Sequence, residues 1–179
     1  QMVNNLATGN LDGFCVGEPW NAAAIHQGVG WVAANSTTVS DGHPEKVLMA
    51  RHDFVKNHSE RFIRLIAAIR EGCIHSEKQE NKEELVKILA SSHYLDCDAE
   101  ILNYGFGLPV GTPSSHQEIT LNTCSFNKHN MPSMKHATWI IEEMKSSGIF
   151  SNSTQSVELL TDNIFMSEYY KEAGKLMND

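Results

Sequence analysis

Residues 11–34 constrain the fold more than any other part of the chain. An apolar run, Leu11-Asp12-Gly13-Phe14-Cys15-Val16, stops at Gly17 and passes through Glu18 and Pro19 into Trp20-Asn21-Ala22-Ala23-Ala24-Ile25. A run that short, bounded by glycine and proline, predicts a buried strand turning into a helix. Pro19 suits the first helical position, where its missing N–H leaves no hydrogen bond unmade. Gly28 ends the helix, and Gly30-Trp31-Val32-Ala33-Ala34 reads as a second short strand. A polar loop over 35–45 carries Asp41-Gly42 and Pro44 as breakers. Lys46-Val47-Leu48-Met49-Ala50-Arg51 is the third strand candidate. Strands flanking a helix in this order predict an α/β sheet whose strand ends lie near one another.

Elsewhere the pattern is helical. Met2 to Thr8 reads as the end of a helix closed by Gly9. Ser59 is placed to cap a long helix, with Phe62, Leu65, Ile66, Ile69 and Cys73 on one apolar face. Asn81 with Glu84 resembles a capping box ahead of Leu85, Ile88 and Leu89. Asp98 is placed to cap a short helix through Ile101 and Leu102. Residues 105–131 are irregular, punctuated by Gly105, Gly107, Pro109, Gly111 and Pro113. Ser133 caps a helix with Met134, Ala137, Ile141 and Met144 inward, ended by Gly148. A polar stretch over 151–156 precedes Val157, Leu159 and Leu160, then Tyr169, Tyr170, Ala173 and Leu176.

Charge removes one broad class of function. Asp and Glu number 22 against 14 Lys and Arg, a net charge of −8. A nucleic-acid binder needs a basic face to displace counterions, so none is expected here. A small anion is not excluded, because one local cation dominates within a Debye length. No apolar run approaches the roughly 18 residues of a membrane span. The first residues, Gln1-Met2-Val3-Asn4-Asn5-Leu6, have neither the charge nor the apolar length of a signal peptide. They read as the interior of a helix, as expected if a leader has been removed or the chain is a fragment.

The four cysteines, Cys15, Cys73, Cys97 and Cys124, form no C-x-x-C pair, so a zinc site has weak support. Free buried thiols are favoured over a bridge, and Cys73 looks like a small core residue. The nine histidines are scattered, and neither His129 with His136 nor Cys73 with His75 makes a metal signature. No metal site and no cofactor is expected. Asn35, Asn57 and Asn152 begin N-x-S/T triplets, which matter only in a eukaryotic secretory protein.

Catalytic motifs are absent: no G-x-S-x-G elbow, no P-loop, no H-E-x-x-H. One constellation points to binding. Gly17 stands between a strand end and a helix start, where unpaired N–H groups and the positive dipole end suit an anion. Lys46 opens the strand after Pro44. A glycine N–H and a lysine ammonium converging at a sheet crevice would hold a small oxyanion by charge-assisted hydrogen bonds. On these residues alone the commoner arrangement is a capping glycine and a solvated lysine, since helix starts without ligands are the norm.

The string Asn10-Leu11-Asp12-Gly13-Phe14-Cys15-Val16-Gly17-Glu18-Pro19-Trp20-Asn21-Ala22-Ala23-Ala24-Ile25 resembles a signature of the nitrate/bicarbonate solute-binding proteins of ABC transporters and the related cytoplasmic nitrate sensors. Gly28-Val29-Gly30-Trp31 and Pro44-Glu45-Lys46-Val47-Leu48 follow in the family's order. Glu80-Asn81-Lys82, Tyr94-Leu95, His136-Ala137-Thr138-Trp139 and Tyr169-Tyr170-Lys171-Glu172-Ala173 continue it. The resemblance implies the helix-rich C-terminal part of a two-lobed periplasmic-binding-protein-like (type II) α/β fold. Residues 1–45 would end the second lobe and carry the G-E-P-W-N motif. Residues 46–179 would return to the first lobe and its C-terminal helices.

Carried over by position, Gly17 and Lys46 match the glycine and lysine that contact the anion in nitrate-binding members. Bicarbonate-binding relatives place an acidic residue at the Lys46 position and use calcium, so Lys46 favours nitrate or nitrite over bicarbonate. Glu18, Trp20 and Asn21 belong to the motif, and their structural role, helix start and packing, is preferred over ligand contact. The chain departs from the family at Asn130-Met131-Pro132-Ser133-Met134 and at Ser147-Gly148, which bears on packing over 125–150.

The implied function is the solute-binding component of an ABC importer, periplasmic, tethered to the membrane through a leader and partnered by a permease. The alternative is a cytoplasmic nitrate sensor acting on a partner protein. An enzyme related to the thiamine-pyrimidine synthases would need a cysteine-rich motif that this chain lacks, so no catalytic residues are assigned.

Overall fold

A computed structural model describes residues 1–36, 40, 42–106, 125–128, 130–149 and 164–178. The chain divides into two compact units, Gln1–Asp41 with His75–Phe126 and Gly42–Ile74 with Asn127–Asp179. The described elements are helices: α1 (Met2–Ala7), α2 (Trp20–His26), α3 (His52–Asn57), α4 (Ser59–Glu77), α5 (Lys82–Ala90), α6 (Ala99–Gly105), α7 (Met134–Ser146) and α8 (Ser167–Met177).

The first unit is built around α2. Its three successive alanines, Ala22, Ala23 and Ala24, are all buried, so the helix is enclosed on several sides rather than laid on a surface. Val3 of α1 and Ile101 of α6 complete this core, with Leu6, Phe14, Ile25, Val29, Val32 and Tyr104 packed against it. Alanine is what such close approach requires, since a larger side chain would force its neighbours off their rotamers. Gly28 follows α2 with a φ of 67°, a left-handed turn that glycine takes without a Cβ clash. A second cluster joins Val86, Leu102 and Phe106. Lys82 is buried beside it, its ammonium 4.9 Å from the Phe106 ring centre and 5.3 Å from that of Phe126. Each ring face offers the cation negative electrostatic potential. The Glu77 carboxylate accepts from the Phe126 N–H at 2.6 Å and the Ser125 hydroxyl at 3.3 Å.

In the second unit an aromatic chain links three helices. Phe54 of α3 meets Phe62 of α4 edge-on at 6.5 Å, and Phe62 meets Tyr169 of α8 at 5.4 Å. Arg70 of α4 is buried, lies 4.0 Å over the Tyr170 ring and donates to the Tyr170 carbonyl at 3.2 Å. This turns the expected face of α4. Phe62, Ala67 and Arg70 are the buried residues, while Leu65 and Ile69 are exposed at 44% and 42%.

The two glycines of α4 and α8 have opposite surroundings. A Cβ at Gly72 meets nothing within 4 Å, whereas a Cβ at Gly174 would lie 2.8 Å from Arg70 Nη1. Gly72→Ala should therefore stabilise by about 0.5–1 kcal/mol, the ordinary gain of alanine over glycine inside a helix. Gly174→Ala should lose that gain to displacement of the arginine. Urea denaturation of both variants, showing a shifted midpoint only for Gly72→Ala, checks the pair.

Two expected caps form. Asp98 Oδ1 accepts from the Glu100 N–H at 2.9 Å, and Ser133 Oγ from the His136 N–H at 3.3 Å. Asn81 does not cap α5. It ends a 3-10 turn, Gln79–Asn81, and donates instead to the His75 carbonyl at 2.8 Å. Pro19 lies one position before α2 rather than inside it.

The three strand candidates need correction at the level of pairing. Residues 11–16, 30–34 and 46–51 are non-helical, but they enter no strand ladder among the described residues. A ladder needs a neighbour for every N–H and C=O, and apolar patterning identifies a segment without identifying its partner. Val47, Leu48 and Met49 are correspondingly exposed, at 58%, 49% and 85%. The readings placed on Cys124, His129, Asn152, the 151–156 stretch, Val157, Leu159, Leu160 and most of 105–131 lie outside the described residues.

Candidate functional site

The G-E-P-W-N motif forms a closed local network. Asn21 of α2 donates to the Val16 carbonyl at 2.7 Å and to Glu18 Oε1 at 3.2 Å. Glu18 Oε2 accepts from the Ala22 N–H at 3.1 Å. A carboxylate here satisfies one unpaired donor of the helix start and meets the positive dipole end. Pro19 is buried, and its carbonyl accepts from the Ala23 N–H at 2.9 Å. The start of α2 is thus engaged by the chain's own carboxylate, which changes the simple picture of helix donors awaiting an anion.

Gly17 is half-buried, between Val16 and Glu18, and so sits against this network. Trp20 is 43% exposed and lines a shallow cavity of about 130 Å³ with Gln1, Met2 and Val3. Its indole is a partly covered surface group rather than a core residue.

Lys46 belongs to the second unit, on the non-helical stretch before α3. It is exposed, and among the described residues it has no ion-pair partner. Just before it, His43 stacks on Trp139 of α7, the ring centres 5.7 Å apart and the planes 29° from parallel. His43 Nδ1 lies 3.2 Å from the Pro44 carbonyl. Sequence reading passed over His43, since a lone histidine beside a proline carries no spacing signal.

Nothing in the described geometry resembles an activated nucleophile. Cys15 is an exposed free thiol, and Cys73 and Cys97 are half-buried free thiols. Burial, then the nearby Asp98 and Asp96 carboxylates, push the Cys97 thiol up. A raised thiol holds less reactive thiolate at neutral pH. Iodoacetamide should therefore label Cys15 before Cys97 at neutral pH, with Cys97 gaining on it as the pH rises. Peptide mass mapping over time reads the order. Among the described residues no group of three His, Cys, Asp or Glu side chains is placed to hold a metal ion. No described helix is long and apolar enough to cross a membrane.

The model of the NMT1-like family matches residues 1–90, which hold the whole motif block from Asn10 to Leu48. The chain belongs to the NMT1-like family. This NMT1-like chain is similar to the nitrate import ATP-binding protein NrtC of Synechocystis sp. (strain PCC 6803), at 32% identity over 163 residues, 89% of this chain and 24% of that relative. It is similar to the nitrate/nitrite binding protein NrtA of Synechococcus elongatus (strain PCC 7942), at 31% identity over 183 residues, 98% of this chain and 40% of that relative. The chain therefore spans well under half the length of the curated relatives it matches. Among solved structures, the periplasmic nitrate-binding protein NrtA from Synechocystis PCC 6803 overlays with a TM-score of 0.87 at 24% identity, covering 99% of this chain and 47% of that one. That likeness gives the NMT1-like chain its fold: the helix-rich part of a type II binding-protein architecture.

Proposed function

We propose that these residues act within the solute-binding component of an ABC importer that captures a small oxyanion, nitrate or nitrite, between two lobes. The observation that carries this reading is the 31% identity to a nitrate/nitrite binding protein across 98% of the chain. In this proposal residues 1–45 close the second lobe and 46–179 return to the first. Gly17 supplies a backbone N–H and close approach, and Lys46 supplies the charge. A monovalent anion taken from water needs a compensating cation and several hydrogen bonds, since an unpaired buried charge is strongly unfavourable.

The proposed setting is periplasmic, with a leader that anchors the protein and a permease that receives the anion. No turnover is part of the function. Chemistry needs a nucleophile–base pair or a metal, and the motif's two carboxyl and amide side chains, Glu18 and Asn21, are occupied in holding α2.

Titration calorimetry of the full-length protein tests the ligand. Nitrate and nitrite should each give saturable heat, chloride none, and bicarbonate none with or without calcium. Calcium-dependent bicarbonate heat, or no heat with any anion, would remove the nitrate assignment. The 179 residues alone should bind nitrate poorly, because two groups cannot enclose an anion and exclude water.

One observation favours the sensor reading. Cys15, Cys73 and Cys97 are free thiols, the usual state in a reducing cytoplasm. Cell fractionation separates the two readings, since a receptor co-purifies with the envelope and a sensor with the cytosol.

A further inference from the structure

Between Pro44 and Ala50 no backbone hydrogen bond is formed among the described residues. Lys46 stands on this stretch, two residues beyond Pro44. One restraint lies just before it. The His43 ring is stacked on Trp139, and its Nδ1 lies 3.2 Å from the Pro44 carbonyl. Proline fixes its own φ and biases the residue before it toward extended conformations. His43 and Pro44 are thus a stiff pair, held at one point on α7. Ser133 caps the start of that helix, and Ala137 on it is only 1% exposed. Trp139 lies two residues beyond Ala137.

We propose that the His43–Trp139 stack is the positioning element for Lys46, clamping the chain at His43-Pro44 so that the ammonium is delivered to one place. This rests on the reading of Lys46 as the anion's cation, and it assigns to His43 and Trp139 no contact with the anion. A flexible four-carbon ammonium gains from an anchored backbone, because less freedom remains to be lost when the ligand binds. Anchoring needs a flat ring at each position and no particular polar atom on Trp139, so phenylalanine should replace the indole.

Nitrate titrations on the full-length protein separate the possibilities. His43→Ala and Trp139→Ala should each weaken nitrate binding by about tenfold, the lower range for losing a group that orients a ligand-binding side chain. Trp139→Phe should stay within about threefold of the unaltered protein. In a Lys46→Ala background, His43→Ala should add less than about twofold, because the two act through one group. Thermal unfolding is measured alongside. If Trp139→Ala does not fold, His43→Ala and Trp139→Phe carry the test. An unchanged affinity in Lys46→Ala overturns the cation assignment. A weakened Lys46→Ala with an unchanged His43→Ala overturns the positioning role alone. Additive losses in the double variant also overturn it, since the stack would then act on the anion by another route.

Discussion

In the full-length protein, with the anion enclosed between the proposed lobes, Lys46→Ala should weaken nitrate binding by about 2–5 kcal/mol, the range for removing one partner of a buried charge pair. At 1.4 kcal/mol per factor of ten, that is roughly thirtyfold to several thousandfold. Within 10–50 no other lysine or arginine occurs, and Arg51 is already bound bidentately to Asp53 at 2.9 and 2.7 Å. Lys46→Glu should abolish nitrate binding and favour a metal-assisted ligand. The rival account has Glu18 neutralising Lys46 while helix N–H groups bind the anion. It predicts little effect from Lys46→Ala and tighter binding in Glu18→Gln. The geometry of α2 opposes it, because the Glu18 carboxylate is engaged with the Ala22 N–H and the Asn21 amide. Glu18→Gln should instead leave affinity unchanged and weaken the helix start by about 0.3–1 kcal/mol. Calorimetry on both variants decides between the two accounts.

Arg70→Ala should lower the stability of the second unit by about 2–4 kcal/mol. A hydrogen bond from a charged donor contributes roughly 1.5–3 kcal/mol, and a desolvated cation over an aromatic ring about 2 or more. These overlap in one side chain and do not add. Truncation also leaves a cavity between α4 and α8, beside Tyr170 and Gly174. Arg70→Met separates the contributions, since it keeps the buried stem and discards the charge. It should recover part of the loss in urea denaturation. If Arg70→Ala unfolds at the same midpoint as the unaltered protein, the arginine is not what holds α8.

Local chemistry was the legible part of this fold. Asp98 and Ser133 announce their helices because a side-chain oxygen beside two or three free N–H groups is a short-range event. Gly28 and Gly148 mark helix ends for the same reason, each with a positive φ. The motif block was legible as a family signature, and it is the region in which the family model lies. Partners distant in sequence were not legible. Arg70, outside the expected apolar face, finds Tyr170 one hundred residues away and is buried, and the face of α4 turns with it. Lys82 was hidden similarly, its aromatic neighbours lying 24 and 44 positions onward in Phe106 and Phe126. The strand candidates find no ladder partner among the described residues, and a ladder is a property of two segments. Glu18 shows a subtler limit. Its place before Pro19 was plain, but that its carboxylate folds back on α2 depends on Asn21 bridging to Val16.

Three adjacent apolar side chains at Val47, Leu48 and Met49 sit on backbone whose hydrogen-bonding groups find no ladder partner among the described residues. Exposed apolar residues on extended backbone are a template for another copy where they form an open sheet edge, as in aggregating chains. Its flanks carry the usual deterrent. Glu45 and Lys46 precede it, and Arg51 follows one residue after Ala50. Charges bordering an apolar run discourage stacking in register, since like charges then meet at each layer. Lys46 thus borders the apolar run as a gatekeeper charge. Replacing it removes a charge bordering this run as well as the cation proposed for the anion, so a Lys46 variant is best handled dilute and its monodispersity established before any affinity is read from it.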